Sequence, residues 1–223
     1  MLEASGLDLT YGTTPALRGV SLSLAPGQRI ALMGPSGCGK SSLLHCLCGV
    51  VPPDSGQVTF GDRDLTRLSE RERSRLRLEH FGVVFQFGDL VPELTLLENA
   101  ALPLELLGES RRASQQRARD LLGELGVEDV AGSRAGEVSG GEAQRVAVAR
   151  ALVHEPQVVL ADEPTGALDS TNAEAVLDAM VALTARIGAA LLVVTHDNVV
   201  ASHLDELVTM QDGSILMPAT VDW

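Results

Sequence analysis

The chain has 223 residues, 45% of them hydrophobic, and a formal net charge of −13. That length suffices for one large α/β domain or two small ones around a buried core, and the negative balance excludes nonspecific nucleic-acid binding, which needs lysines and arginines to neutralise phosphates. No apolar run approaches the roughly 18 residues of a membrane helix, and the N-terminus lacks a basic region followed by an apolar core, so the chain is expected in the cytoplasm without direct membrane insertion.

In chain order, Leu7-Asp8-Leu9-Thr10-Tyr11-Gly12 alternates and then reaches a turn residue, the pattern of an edge strand. Tyr11, the only tyrosine, sits where an aromatic can stack on a purine. Val20 to Leu24 alternates as well, and Pro26-Gly27 turns the chain into a short apolar strand, Arg29 to Met33. Gly34-Pro35-Ser36-Gly37-Cys38-Gly39-Lys40-Ser41 follows and fits the phosphate-loop pattern, with a helix reading from Ser42 to Leu47 behind it. Strand, loop and helix make a cradle for phosphate: the glycines let backbone N–H groups face an anion, and the helix start adds its unsatisfied donors. Lys40 is expected to reach the β- and γ-phosphates of a nucleotide and the Ser41 hydroxyl to ligate Mg²⁺.

Cys38, Cys46 and Cys48 make neither a CxxC pair nor a zinc-spaced set with histidines. Cys46 and Cys48 read as small buried side chains, whereas Cys38 lies inside the loop, where a helix start can lower a thiol pKa and open it to oxidation.

After the break at Pro52-Pro53-Asp54-Ser55-Gly56, Gln57 to Phe60 reads as a strand ending in the Gly61-Asp62 turn. Residues 62–80 are dense in Arg and Glu and read as one or two solvated surface helices, and Phe81 to Gln86 returns to a buried β pattern. From Phe87 to about Glu137 helices take over. Thr95 with Glu98 forms a capping-box pattern, and a helix over Ala113 to Leu125 stops at Gly126. Ser139 and Glu142 are a second capping box, opening a helix that must end near Glu155 because Pro156 follows. The glycines behind Ser139 leave the first donors of that helix unshielded, a second candidate anion site.

Val158 to Ala161 is a continuous apolar strand delivering Asp162 and Glu163 at its C-terminal end, where α/β proteins place their chemistry. Asp162 suits Mg²⁺, and Glu163 suits the acceptance of a proton from attacking water. Thr171 with Glu174 reads as the cap of a helix whose apolar face is Val176, Met180, Leu183 and Ile187, ending at Gly188. A further interior strand, Ala189 to Val194, leads to Thr195-His196-Asp197, which puts His196 at the same sheet edge. Asp212-Gly213 then turns a closing hairpin.

Tyr11, the phosphate loop, Gln86 after a strand, Val138-Ser139-Gly140-Gly141-Glu142 at a helix start, Asp162-Glu163, Ala167-Leu168-Asp169 and His196 together resemble the ATP-binding subunits of ABC transporters. The resemblance implies an α/β P-loop fold of the ABC ATPase type over residues 1–223. It would have an N-terminal antiparallel β region, a mainly parallel core sheet flanked by helices, and a helical insert at about 87–156. It also implies roles. Tyr11 would stack on adenine; Gly34, Pro35, Ser36, Gly37, Cys38, Gly39, Lys40 and Ser41 would form the Walker A loop, with Ser42 behind it. Ser41, Gln86 and Asp162 would hold Mg²⁺, Glu163 would be the base and His196 the switch histidine. Ser139, Gly140 and Gly141 would be the signature motif, acting on ATP held by a second copy in a head-to-tail homodimer, and Asp169 would be the D-loop residue. Val138 and Glu142 depart from the commonest Leu-Ser-Gly-Gly-Gln signature, and Ala143 lacks the long polar side chain common there.

Phe85 to Asn99 is similar to the ATPases of lipoprotein release, macrolide or peptide export and the cell-division transporter-like complex. That group works with integral membrane permeases, which would hold this subunit on the inner face of the cell membrane. The short stretch after the hairpin is expected to leave no room for the regulatory domain of sugar-importer ATPases. An ATPase of amino-acid or other small-substrate transport, and a nontransport ABC ATPase of a soluble assembly or repair complex, stay open as alternatives.

Overall fold

Long alternating strands with one apolar face must stack on something, and in this chain two sheets do so with a helix between them. The computed structural model describes residues 1–86, 89–166 and 168–216. Phe87, Gly88 and Ala167 of the motif stretches and the side chains of Ser170 and Thr171 lie outside that description. The first sheet is antiparallel, with β1 (Leu2–Tyr11) between β2 (Thr14–Leu24) and β4 (Ser55–Phe60), and β5 (Arg63–Asp64) outside β4. β1 is therefore an interior strand and not the edge its pattern suggested. Alternation reports one buried face and says nothing about neighbours. The strand also begins earlier than the sequence pattern shows, because a register shift between Ala4 and Leu7 breaks the alternation around Gly6.

The second sheet runs β10 (Ser214–Leu216), β9 (Glu206–Gln211), β3 (Arg29–Met33), β8 (Ala190–Thr195), β7 (Val158–Asp162), β6 (Phe81–Val84). All its pairings are parallel except β10 with β9, where Asp212 and Gly213, both at positive φ, turn the hairpin. Parallel strands are covered on both faces, and their side chains sort accordingly. Val158 and Leu160 of β7 point into the core shared with the first sheet, whereas Val159 and Ala161 point into the core shared with the helices.

The helix α1 (Lys40–Leu47) fills the space between the sheets with Leu43, Leu44 and Leu47, all buried. Cys46 and Cys48 are buried in the same layer, and burial pushes the Cys46 thiol up to about 12, so it stays protonated. On the opposite face pack α3 (Leu96–Leu106), α4 (Arg111–Glu124), α5 (Gly140–Leu152) and α6 (Ser170–Ile187). The Arg- and Glu-rich segment forms a 3-10 turn and the surface helix α2 (Glu70–His80), anchored by buried Leu65 and Leu76. A short α7 (Asn198–Ser202) follows β8. Among the described residues no helix is long and apolar enough to cross a membrane.

Local capping logic holds for α3 and α5, where Thr95–Glu98 and Ser139–Glu142 close reciprocal boxes. It fails for α6, whose cap is Asp169, two residues before the expected Thr171. The Asp169 carboxylate accepts the Asn172 N–H at 3.0 Å, and a short carboxylate is as good a cap as a hydroxyl.

The loop before α3 is tied to that helix by one fully buried amide. Asn99 Oδ1 accepts the Val91 N–H at 2.7 Å, and its Nδ2 donates to the carbonyls of Val91, Leu94 and Thr95 at 3.0, 3.3 and 3.0 Å. These bonds fix the loop that follows Gln86 onto α3. Asn99→Ala leaves those backbone groups without partners and is expected to cost about 2–4 kcal/mol. The urea midpoint measures it, and a change below about 0.5 kcal/mol, the size of an ordinary surface substitution, would show that the loop is held by other contacts.

Candidate active site

Because β3, β6, β7 and β8 run parallel, their C-terminal ends fall on one edge of the sheet, the edge where such folds bind ligands. There β3 releases the phosphate loop, β6 leads to Gln86, β7 ends in Asp162 and Glu163, and β8 ends in Thr195 and His196. The sequence-derived residues Gly34 to Ser42, Gln86, Asp162, Glu163 and His196 are thus gathered at one edge.

The loop is wedged between the two sheets. At φ 154° and 106°, Gly34 and Gly39 occupy backbone conformations that favour glycine. A Cβ on Gly34 would overlap the Met210 carbonyl oxygen of β9, and one on Gly39 the Ala16 carbonyl oxygen of β2. The β9–β10 turn closes the wedge, its Gly213 N–H donating to the Cys38 carbonyl at 3.0 Å while its own carbonyl accepts the Arg18 N–H at 2.8 Å. Cys38 is buried, with Sγ 3.9 Å from Lys40 Nζ, so the thiol that the sequence placed within reach of oxidants is covered in this conformation. Lys40 is only 7% exposed, and its ammonium donates to the Gly34 carbonyl at 2.7 Å and the Pro35 carbonyl at 3.0 Å. The cation that would meet phosphate is thus stored on its own loop.

Opposite the loop, Asp162 has a buried carboxylate oxygen, Oδ1, that finds no hydrogen-bond partner among the described residues. An orphaned carboxylate oxygen costs energy unless something positive or protic meets it. Together with the Ser41 hydroxyl at the start of α1, it fits a magnesium ion of the kind held by one carboxylate plus substrate phosphates. No cluster of three or more His, Cys, Asp or Glu residues that could hold a metal by itself occurs among the described residues.

Glu163 adopts φ 45°, a left-handed conformation uncommon in non-glycine residues. Its N–H still donates to the Val194 carbonyl at 2.9 Å, continuing the β7–β8 ladder, while the bend directs its side chain to His196, whose Nδ1 lies 2.7 Å from Glu163 Oε1. Strain of this kind costs about 1–3 kcal/mol and is found where geometry serves a site. Gln86 reaches the turn after Glu163: a Cβ on Gly166 would stand 3.1 Å from Gln86 Nε2. Tyr11 is half-exposed at the end of β1, its ring open to stacking.

Ser139, Gly140 and Gly141 lie elsewhere. They open α5, which packs on the face of the core sheet opposite α1, so the structure does not join them to the loop of the same chain. Ser139 is occupied locally. Its N–H and hydroxyl donate to Glu142 Oε2 at 2.8 and 2.7 Å, and these bonds hold the Glu142 carboxyl below the usual carboxylate range. Asp169 is also engaged, as the cap of α6.

Two features escaped the sequence reading. Gln144, 3% exposed, donates from Nε2 to the Phe85 carbonyl at 3.1 Å and ties α5 to the residue before Gln86. Its signal was a polar residue on the apolar stripe of Val148 and Ala151. Met210 and Gly213 brace the phosphate loop from the closing hairpin, a contact across the whole chain that no local pattern announces.

Residues 17–166 match the family model described as "ABC transporter". The lipoprotein-releasing system ATP-binding protein LolD 2 of Caulobacter vibrioides is 44% identical over 219 residues, covering 96% of each chain. The protein LolD of the corresponding system in Legionella pneumophila is 44% identical over 199 residues, covering 89% of this chain and 88% of that one. Among solved structures, the dimeric bacterial ABC transporter cassette MJ0796 superposes with a TM-score of 0.93 at 34% identity over the whole of both chains. With the phosphate loop, the Asp162–Glu163 pair and the Ser139 helix start in the arrangement described, the chain belongs to the ABC transporter family as an ATP-binding subunit, and it resembles the lipoprotein-releasing ATP-binding proteins.

Proposed function

We propose that this chain hydrolyses ATP between two copies of itself arranged head to tail, and that the closing and opening of this pair drive a membrane permease of the lipoprotein-release or mechanotransmission type. The observation that carries the reading is the split of the site. Lys40, Asp162, Glu163 and His196 share one sheet edge, while the Ser139 helix start belongs to a helix on the other face of the sheet, a position suited to a second chain's nucleotide.

In this reading Tyr11 stacks on adenine, and the backbone N–H groups of residues 34–42 cradle the phosphates. Lys40 exchanges the Gly34 and Pro35 carbonyls for phosphate oxygens, a charge-assisted bond in place of a charge–dipole one. Ser41, Gln86 and Asp162 would hold Mg²⁺, which supplies positive charge to the β- and γ-phosphate oxygens when bound. Glu163 accepts the proton of the water that attacks the γ-phosphorus, and the bond to the bridging oxygen of ADP breaks in line. His196 keeps the Glu163 carboxylate aimed through Nδ1, leaving Nε2 as the nitrogen that meets the γ-phosphate. From the second copy, the Ser139 hydroxyl and the N–H groups of Gly140 and Gly141 stabilise the developing charge, and Asp169 lies at the same seam.

The permease reading draws on the lipoprotein-releasing relatives and on an open groove of about 260 Å³ beside the Gln86 segment, lined by Val50, Leu78, Phe85 and Pro103 among others. Half-exposed Val50 gives that groove an apolar rim suited to a cytoplasmic segment of a membrane protein. In that assembly the chain sits in the cytoplasm, peripheral to the inner face of the membrane, and needs no inserted segment of its own.

Glu163→Gln is expected to lower steady-state ATP turnover by roughly 10²- to 10⁴-fold while ATP-bound dimers accumulate on a light-scattering column. Undiminished turnover would remove Glu163 from the base role. Lys40→Ala is expected to weaken binding of a fluorescent ATP analogue by about tenfold or more, the worth of a charge-assisted bond, with the circular-dichroism spectrum unchanged. Isolation of the tagged protein from detergent-solubilised membranes tests the partner: a coisolated multi-spanning permease supports the transporter reading, and a soluble complex without one supports the nontransport alternative.

A further inference from the structure

The two segments assigned to the dimer seam begin separate helices, the signature residues on α5 and Asp169 on α6. Asn172 touches both. Its backbone N–H donates to Asp169 Oδ1 at 3.0 Å and its Nδ2 to Asp169 Oδ2 at 2.7 Å. On the other side its Oδ1 accepts from Arg145 Nη1 at 3.2 Å. A Cβ on Gly141 would stand 3.2 Å from Asn172 Cγ, so the second signature glycine lies directly against this amide.

The chemistry of the bridge requires a carboxamide. Its donor faces a carboxylate and its acceptor faces a guanidinium, so neither a carboxylate nor an alkyl group can serve both. Arg145 is poorly placed to lose an acceptor, because its Nε is already buried without a partner among the described residues. The same α5 helix is tied through Gln144 to the Phe85 carbonyl before Gln86, so α5 carries connections toward Gln86 on one side and Asp169 on the other.

We propose that Asn172 is a positioning residue that locks the start of α5 to the Asp169 turn, so that both trans-acting segments meet the second copy's ATP as one rigid piece. It touches no nucleotide; it sets the distance between two segments assigned to the seam. The proposal rests on the head-to-tail reading above.

The test compares Asn172→Ala and Asn172→Asp. Asp keeps the volume and the acceptor for Arg145, and an acid in the first turn favours the helix itself, but it loses the donor and sets two carboxylates against each other. In the Glu163→Gln background, both variants are expected to raise the ATP concentration for half-maximal dimerisation by about tenfold, the size of one or two lost hydrogen bonds. With Glu163 intact, kcat/KM for ATP falls by a similar factor. Binding of the fluorescent ATP analogue by the monomer stays unchanged, and the thermal midpoint of the Asp variant is no lower than that of the Ala variant. A merely structural role at the helix start would make Asp as good as Asn. Dimerisation by the Asp variant at the parent's ATP concentration would therefore overturn the proposal, as would weaker nucleotide binding by either monomer. If Glu163→Gln alone forms no ATP-dependent dimer, the head-to-tail reading falls first. If it dimerises and Asn172→Ala leaves the midpoint unmoved, only the role of Asn172 falls.

Discussion

Two backbone contacts set the course of the phosphate loop: it runs so close to β2 and β9 that Gly34 and Gly39 leave no room for a Cβ beside the Met210 and Ala16 carbonyls. A loop squeezed this way has its curvature set by the sheets on either side of it. The Gly213–Cys38 bond adds a third fixed point from the closing hairpin. A nucleotide therefore meets a cradle whose shape the fold has already determined, and the ordering cost that a free glycine-rich loop would incur on binding is met during folding. The glycines of such a loop are usually read as room for phosphate. In this chain two of them are equally room for neighbouring strands.

The alternation of the core strands extends that constraint to the whole site. Val158 and Leu160 face one core, Val159 and Ala161 the other, and α1 and α5 consequently lie on opposite faces of the same sheet. In the proposed function, this separation of the Ser139 helix start from the Lys40 loop by a buried sheet is the reason that a second copy is needed. The same parallel order puts the C-terminal ends of β3, β6, β7 and β8 together at one edge, where the proposed cis residues gather.

What the sequence disclosed about this architecture divides by distance along the chain. Capping boxes at Thr95 and Ser139, the hairpin turn at Asp212-Gly213 and the strand delivering Asp162 are settled within a few residues, and each was legible. The place of β1 was not, because an apolar alternation is the same whether one strand or two flank it. The cap of α6 was misplaced because Asp169, Thr171 and Asn172 are all competent cap residues, and tertiary contact with Arg145 and Gly141 favours the arrangement built on Asp169 and Asn172. The bracing of the loop by Met210 and Gly213 joins residues more than 170 positions apart, which no window of sequence contains. Gln144 stood between these cases: its polarity on an apolar stripe was visible, but the Phe85 carbonyl that satisfies it was not.

Two of the donors that the proposed function assigns to the γ-phosphate are spent inside the single chain. Lys40 Nζ sits on two loop carbonyls, and the Ser139 hydroxyl sits on the Glu142 carboxylate. In the proposed cycle, closure around ATP is then an exchange of hydrogen bonds and not a simple gain. Exchanges of equal bonds are nearly neutral, so the net drive comes from the difference between a carbonyl or carboxylate acceptor and a phosphate dense in charge. Once the γ-phosphate leaves, the difference vanishes and the internal acceptors recover their donors. Glu142 sharpens this return, because a carboxylate competes for the Ser139 hydrogen more strongly than a neutral amide at that position would. Within that proposed cycle, the departure from the commonest signature would act in the direction of release.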